Sequence, residues 1–156
     1  MPKSFKQLAA EPGSPLKPTA ANGRDVVAWL EQAHLKLQDA QQAVVSAGTR
    51  MDAAWDAVLM ASLAVASAEG WRATSDRGHH EAIWSGAAHA LGLGTSRHDQ
   101  LDALRDWRNR KYRAQQFTKV EEVEEAIALV KPLLEDDVRQ WFTAKHAKLL
   151  KQGLAP

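Results

Sequence analysis

Apolar residues recur at steps of three and four along most of this chain, and this spacing limits the fold more than any other feature of the sequence. Such steps place side chains on one face of an α-helix. No segment shows sustained alternation with a period of two, and no β-branched run is flanked by hairpin turns. The sequence therefore predicts an all-α protein, an antiparallel up-down bundle of four to five helices.

Five helical segments are predicted, at residues 25–47, 49–69, 79–91, 95–114 and 120–150, with a loop at 70–78. The second segment is apolar on most of its circumference, which is typical of a central helix covered by neighbours on several sides. Pro132 lies inside the fifth segment. It should kink or divide that helix, because proline lacks the amide proton that the helix uses.

The first 23 residues differ in composition from the rest of the chain. They hold four prolines and two glycines, with few large apolar groups after Leu8. Proline and glycine disfavour a regular helix. Residues 1–23 are therefore interpreted as a flexible N-terminal tail, and residues 24–150 as one folded domain.

Composition favours a globular protein of the cytoplasm. The 156 residues are 45% hydrophobic and 25% charged, the balance of a domain with one core. The chain has no cysteine, which excludes disulfides and thiolate metal sites and fits a reducing compartment. Its start lacks the apolar core of a signal peptide, and Asp56 interrupts its longest apolar stretch. Export and membrane insertion are not expected.

The most informative segment for function is a basic one late in the fourth predicted helix. At about 100° per residue, Arg108 falls on the same stripe as the apolar Leu101 and Leu104. A buried unpaired charge is costly, so Arg108 must meet a carboxylate, line a cleft or face a partner chain. Five of the nine residues from Arg105 to Arg113 are basic and one is acidic, although the net charge of the chain is only +1. This segment can attract phosphate, or it can pair with the four glutamates that begin the next helix.

His79 and His80 begin the third predicted helix. Histidine titrates near neutral pH, so either ring suits acid–base chemistry. Adjacent side chains diverge on a helix, and the other histidines stand at no ligand spacing with these two, so no metal site is predicted. Gly-rich phosphate loops, Walker-type lysines and HExxH motifs are absent, and no cofactor is expected.

The order of the helices, the Gly-His-His turn at residues 78–80 and the motif Arg108-Asn109-x-x-Tyr112 resemble the HEPN-like (higher eukaryotes and prokaryotes nucleotide-binding) bacterial helical domains over residues 24–134. The resemblance implies a four- or five-helix bundle that often forms a homodimer, with the Arg-Asn motifs of two chains in a shared groove. Many relatives are RNases or components of toxin-antitoxin and defence systems. Others bind RNA or nucleotides without catalysis.

Active nucleases of this family carry a histidine shortly after the Arg-Asn pair, and this chain has Tyr112 and Arg113 there instead. In a metal-free RNase the 2′-hydroxyl attacks the neighbouring phosphate, so one group must take a proton and another must stabilise the growing negative charge. Arg108 suits the second role, whereas a tyrosine is a poor base at neutral pH. His79 or His80 can replace the missing histidine only where folding or dimerisation brings one close to Arg108.

The predicted function is an HEPN-like RNA- or nucleotide-binding protein in which nuclease activity is weak or lost. The predicted binding residues are Arg105, Arg108, Asn109, Lys111, Tyr112 and Arg113. The candidate catalytic residues are Arg108, Tyr112, His79 and His80. Two alternatives stay open: a non-catalytic dimerisation or protein-interaction module with Arg108 in a buried ion pair, and an active metal-independent endoribonuclease. The expected partners are a second copy of the chain, RNA or a nucleotide, and a cognate protein, but no membrane.

Overall fold

A computed structural model describes residues 2–75 and 78–156. Met1 of the predicted tail, and Asp76 and Arg77 of the predicted loop, lie outside the described residues. The regular elements are, in order, α1 (Phe5–Ala9), β1 (Leu16–Pro18), α2 (Gly23–Ala40), α3 (Ala47–Ala68), β2 (Trp71–Ala73), α4 (His79–Ala90), α5 (Thr95–Asn109), α6 (Val120–Pro132), α7 (Arg139–Lys145) and α8 (Ala147–Leu154). A 3-10 turn (Arg110–Tyr112) follows α5, and a π-helical segment (Leu133–Val138) joins α6 to α7. The predominantly helical class is confirmed.

The core is built around α3, which contacts α2, α4, α5 and α6. Alanine, valine and leucine fill most of its circumference, and Trp55 packs edge to face on Trp84 of α4 with ring centroids 6.1 Å apart. Among the described residues, α3 is the one helix with the length and composition to cross a membrane. However, 72% of its apolar window is buried inside the fold, as in a core helix.

The segment before α2 packs on the domain, where the sequence predicted a flexible tail. Ser4 caps α1 by accepting a hydrogen bond from the amide of Gln7. Phe5 is 5% exposed, and its ring covers Gly86 of α4 so closely that an added Cβ would lie 2.2 Å from it. β1 pairs antiparallel with β2 and buries Leu16. The predicted tail is thus replaced by a docked segment, in which Pro12 and Gly13 lie in the turn between α1 and β1 while Pro18 belongs to β1 itself.

The helix boundaries differ from the predicted ones at the end of α2. This helix stops at Ala40, where Arg50 of α3 reaches across and donates from Nε to the Ala40 carbonyl at 2.8 Å. A buried arginine therefore satisfies a carbonyl group that the helix end leaves free. Pro132 ends α6 as predicted, and the chain then continues as the π-helical segment.

Candidate functional site

The predicted binding residues lie on α5 and on the turn that follows it. Arg108 and Asn109 end α5, Lys111 and Tyr112 belong to the 3-10 turn, and Arg113 comes directly after it. Arg108 is partly buried, whereas the other four are exposed. Tyr112 is 77% exposed, so its ring extends into solvent instead of joining the apolar stripe. The structure therefore separates one inward-facing arginine from an exposed basic turn.

Arg108 meets a carboxylate of the central helix. Its Nε lies 3.6 Å from Oδ1 of Asp52, and Lys111 donates from Nζ to Oδ2 of the same carboxylate at 3.1 Å. A separation of 3.6 Å is an ion-pair contact but too long for a hydrogen bond. Within the described part of the chain, Arg108 Nε and Asp52 Oδ1 are both buried atoms with no hydrogen-bond partner. The side chain of Arg108 is nevertheless 26% exposed, so part of it reaches solvent.

His80 lies within the electrostatic field of Arg108. His80 is exposed overall. Partial burial lowers its pKa, the charges of His79 and Arg108 lower the pKa further, and Asp56 opposes them. The shift favours the neutral form of His80, which is the form of histidine that accepts a proton. The fold thus places this candidate base within the electrostatic influence of Arg108.

The rings of His79 and His80 do not diverge as the helical pattern predicted. Their centroids are 3.9 Å apart, at an interplanar angle of 63°. Two adjacent rings alone do not make a metal site, because a metal ion needs further ligands. No group of three or more histidine, aspartate or glutamate side chains that could hold a metal ion occurs among residues 2–75 and 78–156.

Asp52 and Asp56 were missed as site residues by sequence reasoning. They stand four residues apart on α3, one turn from each other, in a helix that is otherwise mostly apolar. Burial raises the pKa of Asp56, and the negative charge of Asp52 raises it further, while Arg108, Lys36 and Lys111 oppose the shift. The sequence did contain a signal for them, namely two carboxylates one turn apart on a helix predicted to be buried. Such charges need cationic partners, so a basic segment should pack against them.

The other basic residues of α5 and its turn are partly neutralised within the chain. Arg105 pairs with Asp102 at 3.3 Å and lies 3.9 Å from Glu81. Arg110 forms an ion pair with Glu122 on α6, as the predicted pairing with that glutamate cluster requires. Arg108 and Lys111 share Asp52 in the same way, whereas the contact recorded for Arg113 is with the neutral Gln116 at 3.5 Å.

Replacing Asp56 by asparagine should raise the melting temperature at pH 7. A raised carboxyl pKa means that ionised Asp56 is less stable in the folded protein than in the unfolded one, so this cost is present above the folded pKa. The gain should shrink as the pH falls through that pKa towards the ordinary value of 3.8. Thermal unfolding from pH 3 to pH 8 measures it, and a gain independent of pH would contradict the assignment.

Comparisons with known proteins do not place the chain in a family. No protein-family model matches the sequence, and neither a curated protein nor a solved structure matches it. The HEPN-like resemblance therefore rests on this chain's own residues, chiefly the turn at 78–80 and the motif at 108–112.

Proposed function

We propose that this chain is an HEPN-like up-down helical bundle that binds RNA or a nucleotide through phosphate, with Arg108 at the centre of the site. One observation carries the proposal. The side chain of Arg108 is 26% exposed and stands near the exposed Lys111 and Arg113, while its buried Nε faces Asp52 at 3.6 Å. A phosphate oxygen is a preferred acceptor for a guanidinium group, because it accepts charge-assisted hydrogen bonds from the planar fork.

The exposed turn supplies the remaining contacts in this proposal. Lys111 is the second cation beside Asp52, and Arg113 adds a third exposed positive charge. Asn109 offers an amide that donates to phosphate or sugar oxygens. The exposed ring of Tyr112 stacks on a base or orients the ligand.

We expect the chain to bind RNA or a nucleotide with weak or no cleavage. A metal-independent endoribonuclease needs a base near the 2′-hydroxyl, and the family position for that histidine holds the exposed turn with Tyr112. His80 is the substitute that the fold offers, but Asp52 and Asp56 repel the phosphate that Arg108 would stabilise. By the same resemblance we infer a cytoplasmic homodimer, in a toxin-antitoxin or defence system, with a cognate protein partner.

The Arg108–Asp52 contact also favours a second function. If the ion pair is structural, the chain is a non-catalytic dimerisation or protein-interaction module, and the same arginine holds α5 against α3. Removing one partner of a half-buried pair then costs stability, because the other charge loses its partner. The two functions make opposite predictions for one substitution.

Arg108→Ala should weaken binding of a short single-stranded RNA about tenfold at low salt, since one phosphate contact is lost. Fluorescence anisotropy over a series of salt concentrations measures this, and Arg139→Ala, an exposed arginine on α7, is the matched control. Light scattering and thermal unfolding are recorded on the same samples. Unchanged RNA binding together with a lost dimer or a lower melting temperature would favour the interaction module instead. Cleavage that survives a chelator but not Arg108→Ala would identify an active nuclease.

A further inference from the structure

A cavity opens beside His79 and His80. It is bounded by α2, α3, β2 and the start of α4, and its volume is about 460 Å³. Sites for small organic ligands usually measure about 300–1,000 Å³, so the cavity has the right size for one. The lining residues that matter here are Asp25, Trp29, Trp71, Arg72, His79 and His80.

Two tryptophans make the cavity suited to a flat ring. Trp29 of α2 and Trp71 of β2 are both half-buried, packed against the core but also lining the cavity. Indole side chains stack well on planar aromatic groups, and base–aromatic stacking tolerates any of the four bases. The apolar part of the cavity therefore favours a heteroaromatic ligand.

Charged groups at the same cavity match the edges of such a ring. Asp25 provides a carboxylate that accepts hydrogen bonds from amino and ring N–H groups, and Arg72 provides donors for ring carbonyl and nitrogen acceptors. Nucleobases present both kinds of group on their edges. An aliphatic ligand would form no hydrogen bonds with these two charged side chains.

His80 connects the cavity to the phosphate site. It lines the cavity, and it also lies within the field of Arg108 and Asp56. A ligand that fills the cavity and reaches past His80 therefore needs a planar ring at one end and an anionic group at the other. A nucleotide has both.

We propose that this cavity, the tryptophan pocket, holds the base of a nucleoside monophosphate unit, free or within RNA, whose phosphate points towards Arg108. The position of the phosphate rests on the proposed function. The position of the base rests on the pocket itself. The two parts can therefore fail separately.

Isothermal titration calorimetry with four probes tests the pocket: adenosine 5′-monophosphate, adenosine, ribose 5-phosphate and a single-stranded adenosine oligoribonucleotide. In the wild-type protein, adenosine 5′-monophosphate or the oligonucleotide should bind about tenfold tighter than ribose 5-phosphate, because the base adds stacking. Trp71→Leu should remove this difference. Phe117→Leu changes an aromatic that is 82% exposed and outside the pocket, so it should have no effect. Binding of the oligonucleotide alone would assign RNA as the source of the unit.

One contrary result is that adenosine 5′-monophosphate and ribose 5-phosphate bind with equal affinity, and the oligonucleotide with the same affinity when it is expressed per phosphate group. That result would overturn base binding in the tryptophan pocket but leave phosphate binding intact. Binding of adenosine 5′-monophosphate that depends on Trp71 but not on Arg108 would support the pocket and overturn the proposed function. No binding of any probe would overturn both. If Trp71→Leu lowers the melting temperature, Asp25→Asn replaces it, since this exposed residue should alter the preference among the four nucleoside monophosphates without unfolding the chain.

Discussion

Phe5→Ala should lower the free energy of unfolding by about 3–5 kcal/mol, the usual cost of removing a buried phenyl ring. Phe5 is 5% exposed and stands directly on Gly86, where the neighbouring helix has no side chain. The ring occupies the space that a side chain at position 86 would need, so its removal leaves a cavity. Urea unfolding followed by far-UV circular dichroism measures the loss.

Lys6→Ala is the matched control, because Lys6 is the next residue of α1 and is exposed. Its effect should stay within about 0.5 kcal/mol. A flexible tail makes a different prediction, namely that both substitutions are nearly neutral. A change smaller than about 1 kcal/mol for Phe5→Ala would therefore restore the tail interpretation.

The N-terminal segment shows which part of the fold could not be predicted from the sequence. The spacing of apolar residues predicts the long helices, because helical periodicity can be recognised within one contiguous segment of sequence. A short signal for α1 is present, because Ser4 and Gln7 form a capping box around the helically spaced Phe5 and Leu8. No such pattern indicates that Phe5 and Leu16 are buried. Their burial depends on Gly86 and on β2, which are far away in the sequence. No local pattern contains that information.

The candidate site, too, could be predicted from the sequence only in part. The misplaced charge of Arg108 could be read from its helical stripe, and a carboxylate partner was one of the three outcomes that the stripe allowed. Which carboxylate it meets could not be read, because Asp52 precedes it by more than fifty residues and lies on another helix. That Arg108 influences the pKa of His80 depends in turn on how α4 and α5 pack around α3. The chemical groups could therefore be listed from the sequence, but which of them face one another is decided by tertiary packing.

Asp52→Asn should tighten the binding of single-stranded RNA by about tenfold or more at low salt. Asp52 now competes with phosphate for two cations, Arg108 and Lys111. Asparagine keeps the shape of the side chain and removes the competing charge, so both cations become available. The slope of log affinity against log salt should steepen by about 0.7–1.4, because one or two further phosphate contacts release counterions. Anisotropy titrations over a range of salt concentrations measure both quantities.

Asp106→Asn is the control, since it makes the same change of charge at an exposed position of α5. It should raise affinity only through the overall field and leave the slope almost unchanged. The fold should survive Asp52→Asn, because partly exposed ion pairs contribute about 0–1 kcal/mol each. If Asp52→Asn instead lowers the melting temperature and leaves RNA binding unchanged, Asp52 holds Arg108 in place for a structural purpose. The ion pair would then be the reason that an arginine occupies the apolar stripe of α5, and the interaction module would be the better account of this protein.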